Sequence, residues 1–104
     1  MAGCDPVHYE LKGQIRSQNR GIQNANVTLD CSSLLPSTKT TTTNEKGNFT
    51  LTGIGVINKC LLKVEQPGYV YKEISISNKD IIDSTYPLSP VYVIDILLNQ
   101  EQEL

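Results

Sequence analysis

Thr40-Thr41-Thr42-Thr43-Asn44-Glu45-Lys46-Gly47-Asn48-Phe49-Thr50-Leu51 reads as strand, tight turn, strand. Threonine is branched at Cβ and fits a pleated surface better than a helix. Asn44 to Gly47 supplies the turn, with Gly47 free to take a positive φ. Beyond it, Phe49 and Leu51 point to one face and Asn48 and Thr50 to the other, the period of two that marks a half-buried strand.

The same alternation runs outward in both directions. In Val7 to Arg16, Tyr9, Leu11, Gly13 and Ile15 share a face, with His8, Glu10, Lys12 and Gln14 opposite. Ser17 to Gly21 is a turn in which Gly21 is expected in the left-handed region. Ala25, Val27, Leu29 and Cys31 point inward on a second strand. Thr38 to Thr43 is a third strand, so polar that an edge position is expected, and Asn48 to Thr52 a fourth, which Gly53-Ile54-Gly55 breaks. Cys60, Leu62 and Val64 face inward on a fifth, Ile74 and Ile76 on a sixth (Tyr71 to Ser77), and Tyr92, Ile94, Ile96 and Leu98 on a seventh. Asn78 to Pro90 is a polar loop with a helical turn expected at Asp80 to Asp83. Seven short strands with turn signals between them, and no sustained helical period, predict an all-β sandwich.

The domain so read spans residues 8–99, between a leader at 1–7 and a polar tail at 100–104. At 104 residues the chain is one domain, with net charge −2 and no basic run. A nucleic-acid partner needs a basic patch and is not expected. No apolar run approaches the ~20 residues of a membrane helix. Met1-Ala2-Gly3-Cys4 resembles the end of a bacterial lipobox, which would make Cys4 a lipidation site and the membrane a partner through that anchor alone. An ordinary start Met followed by a free cysteine is the other reading. No charged and apolar segment precedes Cys4, so any signal peptide is expected to be gone already. Three cysteines, Cys4, Cys31 and Cys60, imply one pair and one cysteine with another fate.

The residues between the turns resemble a family. Gly13-Gln14-Ile15 followed by Gly21-Ile22-Gln23-Asn24-Ala25-Asn26-Val27-Thr28-Leu29 is similar to the opening of a carboxypeptidase regulatory-like domain. Thr42-Thr43-Asn44-Glu45-Lys46-Gly47-Asn48-Phe49 resembles its threonine-rich hairpin, with Asn44 where an acid is common. Leu62-Lys63-Val64 with Gly68-Tyr69 resembles a later element. The resemblance implies a prealbumin-like (transthyretin-like), seven-stranded Greek-key sandwich, accessory rather than catalytic, on a secreted or cell-surface protein. It also implies that the second and fifth strands are antiparallel neighbours. The end of one then lies beside the start of the other, which brings Cys31 and Cys60 together. In an oxidising compartment they are expected to bond; in a reducing one they would pack as small apolar groups.

Candidate chemistry is sparse. His8 is the only histidine and shares a face with Glu10 and Lys12; nothing beside it in the chain marks a nucleophile, and no enzyme is expected. The hydroxyisourate hydrolases of the transthyretin-like group use a histidine pair that this chain lacks. Asn44 to Asn48 holds one carboxylate and a lysine, a poor calcium loop, and no metal or cofactor is expected. A self-formed isopeptide would need Lys12, Asp95 or Asn99, and Glu65, but Lys12 and Glu65 are out of phase with the core. Asn26-Val27-Thr28 and Asn48-Phe49-Thr50 are glycosylation sequons with outward asparagines. Partner contacts are expected on the loops Ser32 to Ser37, Ile54 to Lys59 and Asn78 to Pro90. The expected partner is a protein. The alternative is a carbohydrate, bound by Tyr71 and Tyr86 as an exposed aromatic pair.

Overall fold

The computed structural model describes residues 8–31, 38–77, 79, 81–83 and 90–101. Its strands are β1 (His8–Ser17), β2 (Arg20–Gly21), β3 (Asn26–Asp30), β4 (Thr38–Thr42), β5 (Asn48–Ile54), β6 (Leu61–Glu65), β7 (Lys72–Ser75), β8 (Ile81–Asp83) and β9 (Val91–Leu97). They form two packed sheets, a β-sandwich, with the seven expected strands joined by two short ones, β2 and β8.

The first sheet is built around β1. β5 and then β2 pair along one side of it, antiparallel, and β9 runs parallel to it on the other, with β8 outside β9. The second sheet is antiparallel throughout, in the order β4-β3-β6-β7. The threonine strand β4 therefore lies at an edge. Between the sheets sits the core that the alternation marks: Leu11 and Ile15, Val27 and Leu29, Phe49, Leu62 and Val64, Ile76, and Tyr92 to Leu98 on every second residue are all buried. Each large apolar side chain so buried contributes about 1.5–3 kcal/mol relative to exposure.

The turn at Asn44 to Gly47 is tight, but β4 and β5 do not pair as a hairpin. β4 pairs with β3 in the second sheet and β5 with β1 in the first, so the turn is a corner between sheets. Thr43 fastens that corner. Its amide donates to the Ala25 carbonyl, its carbonyl accepts from the Asn24 amide, and its buried hydroxyl donates to the Ile22 carbonyl while accepting from the Ala25 amide. Asn44 closes the turn by accepting the Lys46 and Asn48 amides on Oδ1. Those bonds use the oxygen that a calcium loop would have aimed at a cation. Gly47 takes φ +81°, and a side chain there would collide with the Ile15 carbonyl.

Three further local expectations are corrected. The left-handed residues after β1 are Gln18 and Asn19, not Gly21; Gly21 lies in β2, where a side chain would strike the Lys46 backbone. β5 continues through Gly53 to Ile54, because a glycine leaves room for the Tyr9 hydroxyl and the Lys39 ammonium across it. Ile81 to Asp83 pairs with β9 as a strand rather than winding as a helical turn.

Candidate functional site

The loop after β5 is held from below and apolar on top. Ile57 is fully buried, and the Cys60 amide donates to its carbonyl at 3.0 Å. Lys59, at φ +73°, donates to the Ile76 carbonyl at 2.7 Å, and the Ile76 amide returns a bond to the Cys60 carbonyl at 2.8 Å. A disulfide ties Cys60 to Cys31. With the loop's base fixed, two branched apolar side chains face solvent, Ile54 as the last residue of β5 at 60 % exposed and Val56 in the loop at 57 %. Sequence reading placed contacts on this loop but missed Ile57 as its anchor, since a glycine-flanked loop carries no period to show which residue turns inward. Of the two companion loops, 32–37 lies outside the described residues, and so does most of 78–90.

The opposite end of the second sheet carries a cleft of about 380 Å³, lined by Asn26, Glu65, Gln66, Pro67, Tyr69, Tyr71 and Glu101. Its floor is pinned by the main chain. Tyr69 bridges to Gln100, the Val70 amide donates to the Asn99 carbonyl at 2.8 Å, and the Glu101 amide donates to the Gly68 carbonyl at 3.0 Å. Tyr71 is 46 % exposed, and its hydroxyl donates to Glu73 Oε2 at 3.0 Å. Partial loss of water, then that bond to a carboxylate, holds the phenol above its ordinary pKa. Nearby, Lys63 donates to Asp30 Oδ2 at 3.0 Å, which raises the ammonium's pKa.

Tyr86 and Cys4 lie outside the described residues, so the Tyr71–Tyr86 pair and the lipidation site have no geometry here. Tyr71 instead shares its cleft with Tyr69. His8 is exposed at the start of β1. The isopeptide trio is dispersed. Lys12 faces solvent, 3.5 Å from Glu10, and shares the outer face of the first sheet with Asp95, whereas Glu65 sits on the other sheet. Among the described residues no three His, Cys, Asp or Glu side chains converge to hold a metal ion.

A family model described as carboxypeptidase regulatory-like domain matches residues 10–84. No curated protein matches the sequence. Solved structures share the shape. One is the dioxygenase domain of a dioxygenase carbohydrate-binding protein fusion from Streptomyces sp. SirexAA-E, with TM-score 0.67 and 12 % identity over 97 % of this chain and 85 % of that one. Catechol 1,2-dioxygenase from Acinetobacter sp. ADP1 superposes with TM-score 0.66 and 12 % identity over 97 % of this chain, which spans 55 % of that enzyme. The major plantain pollen allergen Pla l 1 gives TM-score 0.57 and 13 % identity over 93 % of this chain and 97 % of its own. At such identities the likeness concerns the fold.

Proposed function

The chain belongs to the carboxypeptidase regulatory-like domain family, and from that premise we propose that it works as a non-catalytic accessory module that binds a partner protein outside the cytoplasm. The observation that carries this reading is the loop after β5. Ile54 and Val56 are exposed apolar side chains on backbone already ordered by Ile57 and the Cys31–Cys60 disulfide. A partner covering them would gain apolar burial without ordering a floppy segment, which is where association loses much of its free energy. The disulfide favours an oxidising compartment. A lipid on Cys4 would anchor the module at a membrane surface; one acyl chain holds only marginally, so the fully processed, several-chain form is the effective anchor.

The test is photo-crosslinking in the native cells, with a benzophenone amino acid in place of Val56 or, as the comparison, in place of Thr50. A discrete adduct from position 56 that Ile54→Ser abolishes is the expected result. Equal labelling from both positions would count against the loop as the contact surface. A catalytic role would instead show as hydrolase turnover lost in His8→Ala.

A further inference from the structure

We propose that the cleft between Tyr69 and Tyr71 is a binding site for a neutral oligosaccharide. It lies at the other end of the second sheet from the Ile54–Val56 loop and stands independently of it.

The register builds the site. Asn26 pairs with Thr42 on one side and Glu65 on the other, and Tyr71 stands one step past the Val64–Lys72 pair, beside Glu65. Thr42, Asn26, Glu65 and Tyr71 thus form one straight row across β4, β3 and β6 to the residue before β7, all four exposed. With strands spaced ~4.8 Å apart the row is about 14 Å long. The cleft opens at its Tyr71 end, where Gln66, Tyr69 and Glu101 add to the lining.

The chemistry of that lining selects the ligand. A sugar ring offers an apolar face and hydroxyls that both donate and accept. The tyrosines supply aromatic surface for the first, and the Tyr71 ring is steadied by its bond to Glu73. For the second, Asn26 and Gln66 carry amides that donate and accept, and Glu65 and Glu101 carboxylates that accept. An anion would find no Lys or Arg in the lining. A cation would use the two carboxylates and leave the amide donors idle. The main-chain bonds to Gln100, Asn99 and Glu101 set the walls in advance, so binding orders little. The volume is within the usual range of small-molecule sites, roughly 300–1,000 Å³.

The experiment is a two-dimensional NMR titration of the whole chain with cellohexaose, xylohexaose and maltohexaose, and separately with a short Lys/Arg-rich peptide. The expected result is saturable shifts at the Asn26 and Gln66 side-chain amides and at Gly68 with at least one of the three sugars. Tyr71→Ala should then bind about tenfold more weakly, while Tyr71→Phe, which keeps the ring, stays close to the parent. Asn26→Ala, at an exposed position, gives the same test should Tyr71→Ala lose its dispersed spectrum. Val56→Ser should leave the sugar titration unchanged, which separates this site from the loop. No shifts with any of the sugars at millimolar concentration, shifts mapping elsewhere, or shifts with the basic peptide alone would each overturn the proposal.

Discussion

Cys31 and Cys60 face each other one step beyond the Asp30–Leu61 pair that ends the β3–β6 ladder, with Cα atoms 4.7 Å apart and a disulfide between them. Both are buried. The bond closes a separation of 29 residues, for which loop entropy gives a stabilisation of about 3–4 kcal/mol. Urea unfolding of protein isolated without reductant should show a loss of that order once reductant is added, and denatured, unreduced chains free of lipid should show one reactive thiol, that of Cys4. Three reactive thiols would rule out the bond and weaken the extracytoplasmic reading.

Gly13, in the middle of the first sheet, is paired with Phe49 on β5 and Ile94 on β9, which leave no room for a side chain. A Cβ there would stand 2.5 Å from the Phe49 ring and 2.7 Å from the Ile94 carbonyl oxygen. Neither a packed ring nor a β9 backbone moves freely. Gly13→Ala should destabilise by about 1–3 kcal/mol, the usual cost of overpacking. Pairing it with Phe49→Leu should recover part of the loss, and additive effects in that double mutant would contradict the contact.

Replacing Thr43 with valine keeps the volume and deletes the hydroxyl. The Ile22 carbonyl and the Ala25 amide then lose a buried partner. Thr43→Val should cost about 1–3 kcal/mol in thermal or urea unfolding, whereas Thr42→Val, at the exposed neighbour, should stay within roughly 0.5 kcal/mol. Equal effects at both sites would show that the corner does not depend on the hydroxyl.

Burial raises the Tyr9 phenol above 10.0, and the bond to Asp30 raises Lys63 above 10.5. A group whose pKa is higher folded than unfolded stabilises the fold below its unfolded value, and that contribution is lost as pH climbs through the folded one. Stability should therefore fall above pH 10, and Tyr9→Phe and Lys63→Met should each flatten the alkaline limb of a melting-temperature profile. An unchanged limb in both variants would exclude these groups as its source.

The core was legible because every long strand repeats with period two, and Tyr9, Val27, Leu62 and Ile94 could be assigned to it by phase alone. Pairing was less so. The turn chemistry of Asn44 and Gly47 reveals that the chain reverses, but the partner of β5 is settled by β1, far away in sequence. Gly21 looked like the left-handed residue since glycine bears that conformation most cheaply; Asn19 tolerates it too, and the Lys46 backbone claims the glycine. The cleft was half visible. Tyr71 stood out as an exposed aromatic, but Tyr86 was named as its companion, because nothing in the chain announces that Gln100 folds back onto Tyr69.

The parallel pairing of β1 with β9 also decides how the module bears load. Glu10 to Arg16 lies alongside Val91 to Leu97, both strands pointing the same way. The chain therefore enters this pair at one end of the sandwich and leaves it at the other. Tension applied through the flanking chain drags β1 backward and β9 forward, so the slanted hydrogen bonds between them are sheared together instead of being unzipped one at a time. Rupture under force follows the unfolding rate, and this geometry makes the central strand pair a mechanical clamp. A module set between a tethered end and a pulled one would hold its shape until that clamp slipped as a unit.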